Sequence, residues 1–407
     1  MKKCLFLQKN KKYLFEYKGA YKIMNKKYTI PTLPLPYDLE TKPILRQVNL
    51  ANKKLAELKG VALTIPNEDI LLNTLILQEA KDSSEIENIV TTHDDLYRAD
   101  LDLKQTIINA PTKEVLNYRQ AMKSGFSLVR KSKLLTNNII KQIQSELEMN
   151  SAGFRTVPGT TLKNNRGEIV YTPPQDGNEV LKLMDNLECF INDKDMADID
   201  PLIKTAIIHH QFESIHPFYD GNGRTGRIIT ILYMVINDLI DLPILYLSRY
   251  ITHNKAEYYR LLQEVRNKEG KNALEWENWI LFMLKCIEET SVETIRLVKG
   301  ISTLMSEYKQ TLRPLFGKQY KHELLNNLFF HPYTKIEFIE HDMMVQRQTA
   351  SKYLEKIVET GLLSKIKLGR TNYYMNVSLI DLFIKHAKVP SQEIDTIESV
   401  HNTVFNE

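Results

Sequence analysis

The sequence has few cysteines and no long hydrophobic run. Cys4, Cys189 and Cys286 lie far apart and in no metal-ligand spacing, which argues against a disulfide framework and favours reduced thiols in a cytoplasm. Because no apolar run approaches the ~20 residues of a membrane span, we expect no association with a membrane. Glycine and proline dominate no tract, and no internal repeat is visible. The 407 residues, 43% of them hydrophobic, are typical of two or three ordinary globular domains.

The first 23 residues carry most of the positive charge. Seven lysines against one glutamate give this lead-in a net charge of +6, which leaves −2 for the remainder of a chain with formal net charge +4. Its apolar stretch, CLFL, is too short for the core of a signal peptide, and no small-residue cleavage site follows. We expect Met24 to be the biological start and residues 1–23 to be disordered or not native. An arm that binds nucleic acid or a membrane surface is the alternative.

Helical periodicity dominates two successive regions, residues 24–110 and 111–310. One helix is predicted to begin after Pro66-Asn67, and apolar residues recur at helical spacing in three further segments, residues 112–130, 135–149 and 178–192. The exception is residues 153–174, GFRTVPGTTLKNNRGEIVYTPP, where β-branched residues flank a turn-rich segment. That pattern predicts a β-hairpin.

A different pattern occupies residues 318–390. Two short helices are predicted at residues 334–341 and 345–360, and Gly361 stands where the second should end. The segments LLSKIKLG and NYYMN then predict two short strands joined by a turn. Helix, turn, helix and β-wing make up a winged-helix domain. The expected fold is therefore mainly α, with one small hairpin and a C-terminal winged helix.

Residues 216–227, HPFYDGNGRTGR, combine groups that suit phosphate chemistry. Gly221 and Gly223 let the backbone turn so that successive amides face inward at the start of a predicted helix, which forms an anion cradle. Arg224 and Arg227 lie three residues apart on the first turn of that helix and could clamp two phosphates. Neither GxxxxGK[ST] nor GxGxxG is present, so the other common phosphate motifs do not apply.

Two further residues of the motif suit a transfer reaction. Asp220, directly before the cradle, is placed to hold a Mg²⁺ ion that bridges phosphate oxygens. His216, one short loop earlier, is within reach of an incoming hydroxyl as a general base. The group therefore suits nucleotide-dependent transfer onto a hydroxyl. His209 and His210 are expected to have packing roles, because HExxH is absent and no acidic or cysteine partner has ligand spacing.

This string resembles the signature of the Fic family, HPFx(D/E)GNGRxxR, with every defining position met. The resemblance extends roughly from residue 31 to 310, and a C-terminal winged helix is a common appendage of bacterial members. Fic proteins are mostly helical and generally transfer AMP from ATP to a Ser, Thr or Tyr hydroxyl of a target protein. The resemblance thus implies a helical Fic core, ATP as substrate, Mg²⁺ as cofactor, and a target protein with a hydroxyl side chain. Self-modification is a further expectation.

The resemblance also assigns roles to the matching positions. It implies that His216 deprotonates the target hydroxyl as it attacks the α-phosphate, and that Asp220 binds Mg²⁺. Asn222 and the flanking glycine amides would hold the α-phosphate, while the two arginines would hold the outer phosphates and the departing pyrophosphate. The implied ATP-binding set within the motif is Gly221, Asn222, Gly223, Arg224, Thr225, Gly226 and Arg227.

Features outside the motif resemble the family as well. The second half of the predicted hairpin resembles the flap that aligns a target as an added edge strand, through Val170, Tyr171 and Thr172. Tyr258 and Tyr259 resemble aromatic residues that line the adenine pocket, although a tyrosine pair on an amphipathic helix is as typical of a core. Arg266 stands where some members have an asparagine that contacts adenine.

Residues 83–88, SSEIEN, resemble the family's inhibitory motif, (S/T)xxxE(G/N). Ser83, Glu87 and Asn88 occupy the matching positions, and on a helix Ser83 and Glu87 share one face. Because the motif precedes the core in the same chain, the resemblance implies autoinhibition by Glu87 without a separate antitoxin.

The sequence thus predicts a cytoplasmic protein adenylyltransferase, and it leaves two alternatives open. One is a DNA-binding regulator that acts through the winged helix, where residues 345–371 carry six basic side chains against two glutamates. The other is Fic-type transfer of a different phosphate-linked group. The oligomeric state, monomer or homodimer, is open too.

Overall fold

A computed structural model describes residues 28–388, except residues 93–94, 97–98, 100–108, 165, 268–272 and 369–370. The basic lead-in at residues 1–23 lies outside the described residues, as does Arg370 in the predicted wing turn. The described part includes fourteen helices and two small antiparallel sheets, which confirms the mainly α prediction. None of these helices combines the length and apolar character that a membrane span needs.

Four described helices precede the hairpin, and a side chain caps each of them. They are α1 (Lys42–Ala62), α2 (Glu68–Ile86), α3 (Ala110–Ser132) and α4 (Asn137–Glu148), and the capping side chains, which accept hydrogen bonds from first-turn amides, are Thr41, Asn67, Asn109 and Thr136. Helix α2 is buried along most of its length, and polar side chains such as Asn73, Glu79 and Ser83 are among its buried residues. The predicted helix start after Asn67 is confirmed.

The hairpin predicted at residues 153–174 is present but short. Strand β1 (Leu162–Lys163) pairs antiparallel with strand β2 (Ile169–Tyr171), and Leu162 lies opposite Tyr171. Tyr171 is buried, whereas Ile169 and Val170 of the same strand are exposed. Tyr171 is therefore the residue that attaches β2 to the core.

The central helices position the motif. They are α5 (Gly177–Asn192), α6 (Pro201–Ile215), α7 (Asn222–Ile236), α8 (Leu247–His253), α9 (Lys255–Asn267) and α10 (Ala273–Phe316). Helices α6 and α7 pack on each other and are buried on nearly all sides. Residues 216–221 connect them, so the first half of the motif is a loop held between two fixed helices.

The C-terminal region has the arrangement expected of a winged helix. Its elements are α11 (His322–Phe330), β3 (Tyr333–Thr334), α12 (Ile336–Met343), α13 (Arg347–Glu359), β4 (Leu363–Leu368), β5 (Thr371–Asn376) and α14 (Val377–Lys388). The three strands form an antiparallel sheet in the order β3-β5-β4. This region also contacts the helix that carries the SSEIEN segment, because Asn73 Nδ2 on α2 donates to the Phe330 carbonyl at 2.9 Å.

Candidate active site

The loop that carries His216 is fixed at both ends. His216 ends α6 in the left-handed conformation (φ 51°, ψ 59°), and its amide donates to the Phe212 carbonyl. Arg155 binds the same end of α6: its Nε donates to the His216 carbonyl at 2.7 Å, and its Nη2 donates to the Ile215 carbonyl at 3.1 Å. The position of the imidazole is therefore set by the end of α6 and by Arg155, which the sequence did not single out.

The imidazole of His216 is neutral at neutral pH. Burial, followed by the positive charges of Arg266 and Arg155, lowers the pKa of His216 to about 3, and the Glu213 carbonyl opposes this shift. His216 is partly exposed as a residue, and its Nδ1 is buried without a hydrogen-bond partner. A neutral imidazole has a free lone pair on one ring nitrogen, which is the state that a proton acceptor requires.

The loop then turns into an open helix N-terminus. Gly221 has a φ of 75°, and among the described residues no side chain caps α7. The Asn222 side chain does not cap the helix. It accepts a hydrogen bond from the Phe218 amide at 2.8 Å and donates one to the Phe218 carbonyl at 2.9 Å. The side chain of Asn222 thus holds the loop together. The backbone amide of Asn222 is the group that can bind an anion.

Two carboxylates lie directly against this cradle. A Cβ atom added to Gly221 would collide with the carboxylate of Glu148, and one added to Gly223 would collide with the carboxylate of Glu87. Gly221 also has a positive φ, which glycine adopts most readily, whereas a Cβ at Gly223 would displace the Glu87 carboxylate. The two negative charges stand where the amides of a helix N-terminus attract anions.

Arg227 is held by the segment that resembles the inhibitory motif. Its Nε donates to Ser83 Oγ at 2.8 Å, and its Nη2 donates to the Ser83 carbonyl at 2.9 Å and to Glu87 Oε1 at 3.0 Å. Burial opposes the charge of Arg227, yet the nearby Glu87 carboxylate contributes to a pKa that lies above the usual range. Asn88 follows in the left-handed region (φ 64°) and ends the helix, a conformation that glycine and asparagine adopt most readily.

Arg224 is paired with carboxylates as well. Its Nη1 donates to Glu114 on α3 at 2.9 Å, and its Nη2 donates to Glu148 on α4 at 2.8 Å. Burial raises the pKa of Glu148, which Arg224 opposes and the neighbouring Asp220 reinforces. Neither glutamate carries a motif signal in the sequence, because the contact joins segments far apart in the chain.

Asp220 is the exposed carboxylate at the mouth of the cradle. Its Oδ1 accepts from the Gly221 amide at 2.7 Å. Among the described residues, no three His, Cys, Asp or Glu side chains are grouped closely enough to hold a metal ion by themselves. One carboxylate beside a phosphate cradle still fits Mg²⁺, because this ion is commonly bound by one or two carboxylates together with substrate phosphates and water.

The other predicted site residues differ in their accessibility. Tyr258 is buried and its hydroxyl is hydrogen-bonded to His209 Nε2 at 2.8 Å, whereas Tyr259 is 43% exposed. Of this pair, only Tyr259 is accessible to solvent. Thr225 and Gly226 lie on the side of α7 that is packed into the core, where a Cβ on Gly226 would approach Phe212.

The flap residues lie at the end of α6. The Tyr171 hydroxyl donates to the Ser214 carbonyl at 2.8 Å, two residues before His216. Val170 and Thr172 on either side of it are exposed. The structure therefore brings the hairpin, His216 and the α7 cradle into one region of the molecule.

The fold and the site together define a helical protein with a neutral histidine beside an uncapped helix N-terminus. Three family models match this chain: "Fic/DOC family N-terminal" at residues 45–127, "Fic/DOC family" at residues 134–234, and "Protein adenylyltransferase SoFic-like, C-terminal domain" at residues 304–379. Residues 45–127 and 134–234 thus match the N-terminal and core domains of the Fic/DOC family, and residues 304–379 match a C-terminal domain of SoFic-like protein adenylyltransferases.

Relatives match parts of this chain. The chain is 26% identical over 182 residues to protein adenylyltransferase Fic of Drosophila erecta, a match that covers 44% of this chain and 33% of that protein. It is 33% identical over 85 residues to protein adenylyltransferase fic-1 of Caenorhabditis elegans, covering 20% of this chain and 15% of that protein. The matches thus span a third or less of these relatives' own length.

The fold is similar to that of a Fic family protein from Desulfovibrio desulfuricans G20. The TM-score is 0.52 at 19% identity, and the alignment covers 84% of this chain and 97% of that one. A Fic domain containing signaling protein from Bacteroides thetaiotaomicron is similar at a TM-score of 0.51 and 15% identity, over 62% of this chain and 97% of that one.

Proposed function

We propose that this chain is a protein adenylyltransferase, which transfers AMP from ATP to a Ser, Thr or Tyr hydroxyl of a target protein and of itself. The observation that carries the proposal is a neutral His216 next to an open helix N-terminus and two buried arginines. The names of the relatives and of the C-terminal family model support the same activity.

His216 acts as the proton acceptor in this reaction. The target hydroxyl oxygen forms a bond to the α-phosphorus of ATP as its proton passes to the imidazole. The bond from the α-phosphorus to the bridging oxygen breaks, and pyrophosphate leaves. Arg155 fixes the end of α6 through the Ile215 and His216 carbonyls, so the ring approaches the hydroxyl from a defined position, which is what proximity catalysis needs.

The start of α7 binds the triphosphate. Its open amides, next to Gly221 and Gly223, face the α-phosphate, where the charge of the helix N-terminus and the hydrogen bonds act together. Arg224 and Arg227 bind the outer phosphates once they exchange their carboxylate partners for phosphate oxygens. A Mg²⁺ ion held by Asp220 would neutralise negative charge on the phosphates.

The ion pair between Glu87 and Arg227 inhibits the transfer, and it is called the brake below. Glu87 is bound to the Arg227 guanidinium, so this cation is not available to the outer phosphates. The Glu87 carboxylate also lies against Gly223, where it takes the space of the phosphates. The remainder of α2 is buried, with Asn73 tied to the C-terminal region. Release of the brake therefore needs movement at the end of α2 rather than of the whole helix.

Labelled ATP tests the proposal. The Glu87→Gly chain is incubated with ATP labelled at the α- or at the γ-phosphate, and protein-bound label is measured, with Glu87→Gly/His216→Ala as the matched control. We expect label from the α-phosphate only, and none in the control. Label from the γ-phosphate alone would mean phosphate transfer, and equal labelling of the control would mean that His216 takes no part.

Duplex DNA binding through the winged helix is a second candidate. The feature in its favour is that residues 346–349, at the start of α13, are all exposed, as a groove-reading helix requires. Arg347 and Lys365 nevertheless pair with acidic side chains of the same region, which reduces the charge offered to phosphate. If this surface binds DNA, gel retardation should weaken steeply as salt rises. No retardation at low salt contradicts it.

A further inference from the structure

Arg266 is a buried cation that joins the flap to the end of α6. It lies near the end of α9 and is 4% exposed. Its Nε donates to Ser214 Oγ at 3.1 Å, and its Cζ lies 4.0 Å from the centre of the Tyr171 ring. Among the described residues no carboxylate forms an ion pair with it, and its Nη2 is buried without a hydrogen-bond partner.

Ser214 is the point where flap and catalytic helix meet. Its hydroxyl accepts from Arg266, and its carbonyl accepts from the Tyr171 hydroxyl at 2.8 Å. Tyr171 is the buried residue of β2, next to the exposed Val170. Tyr171 is thus the residue through which β2 meets the end of α6: the Arg266 guanidinium and the Tyr28 ring pack against its ring, and its hydroxyl binds Ser214, two residues before His216.

Stability does not explain a cation in this position. A buried charge without a partner costs several kcal/mol. Here the compensation comes from α6, through the partial negative charge of its C-terminal end and the buried Glu213 carboxyl, with which Arg266 interacts electrostatically, and from the Tyr171 ring. These groups belong to the catalytic helix and to the flap. The charge is thus compensated only when both elements are in place.

We propose that Arg266 is a positioning residue that fixes the target-docking flap relative to His216. The proposal rests on the proposed function, since it concerns how a target is aligned for transfer. A polypeptide that docks on β2 as an added strand takes its register from the flap. A displacement of about 1 Å between flap and catalytic base can reduce a rate by about 10²-fold. Arg266 thus serves target alignment rather than nucleotide contact.

The test separates target binding from ATP binding. In the Glu87→Gly background, Arg266→Met removes the charge and the Ser214 hydrogen bond, and Arg266→Lys retains the charge alone. The acceptor is the full chain with His216→Ala, used at varied concentration with ATP as donor. We expect Arg266→Met to lower kcat/KM for this acceptor about tenfold, because a misaligned hydroxyl reacts more slowly, while the KM for ATP stays within about twofold. Arg266→Lys should restore part of the loss.

A second measurement does not depend on activity. Hydrogen exchange of the amides at residues 162–164 and 166–171 should speed up by about tenfold in Arg266→Met, because the flap loses its anchor. Arg260→Met is the matched control, since Arg260 is an exposed residue of the same helix, paired with Glu257 and Glu264. It should change neither readout.

The outcomes are distinguishable. Unchanged exchange in Arg266→Met, or a rise in the KM for ATP as large as the fall in kcat/KM for the acceptor, overturns the positioning role. If even the Glu87→Gly parent transfers no AMP, the proposed function fails, and the exchange measurement still decides whether Arg266 anchors the flap.

Discussion

Replacing His216 by alanine is expected to reduce AMP transfer by about 10²–10⁴-fold, the usual contribution of a general base. ATP binding should remain, because the imidazole contributes no group to the cradle at the start of α7. The rate is measured with α-labelled ATP in the Glu87→Gly background, and ATP affinity by calorimetry on the same proteins.

The backbone at this position calls for a second variant. His216 has a φ of 51°, and a left-handed conformation costs alanine about 1–2 kcal/mol. Asparagine tolerates it better, so His216→Asn removes the base with less strain at the end of α6. His341→Ala, at an exposed histidine of α12, is the matched control and should be fully active. Near-normal transfer by a folded His216→Asn chain would remove the proposed mechanism.

Local patterns were sufficient to predict much of this molecule. Helix α2 begins where Asn67 caps it, and the hairpin and the two helices with their wing lie where periodicity and turn residues placed them. These features depend on neighbouring residues. The strand β3, only two residues long, was not predicted, because it is a strand only through its pairing with β5.

The partners of the motif could not be predicted in the same way. Glu114 and Glu148 pair with Arg224 across 110 and 76 residues of sequence, and neither stands in a recognisable pattern. Periodicity also does not separate a pocket from a core. Tyr258 and Tyr259 are adjacent and chemically identical, yet one is buried against His209 and the other is 43% exposed.

Replacing Glu87 by glycine is expected to raise AMP transfer by about tenfold. A hydrogen bond to a charged group is worth about 1.5–3 kcal/mol, and about 1.4 kcal/mol corresponds to a factor of ten in rate. The Glu87 side chain is 37% exposed, so solvent screening places the effect at the lower end of that range. Initial rates with α-labelled ATP, on the chain itself and on the His216→Ala acceptor, measure the effect.

The structure predicts that the released arginine stays in place. Ser83 binds Arg227 Nε through its hydroxyl and Nη2 through its carbonyl, and both contacts survive the loss of Glu87. Nη1 of Arg227 lies 3.2 Å from the position of a Gly223 Cβ, so this edge of the guanidinium already faces the cradle. Ser83→Ala in the Glu87→Gly background should therefore lower the rate again, because the arginine loses its orientation.

Three further substitutions distinguish the effect of the Glu87 charge from the effect of the size of its side chain. Glu87→Gln keeps the size of the side chain without its charge, so it should release Arg227 but still crowd Gly223, which gives a smaller rise than glycine. Glu87→Asp should be intermediate between parent and glycine, since the shorter side chain reaches less far. Arg227→Ala should not mimic the release, because it removes the phosphate ligand together with the brake. If Glu87→Gly folds and binds ATP but is no faster than the parent, the carboxylate beside Gly223 is not what holds the enzyme back.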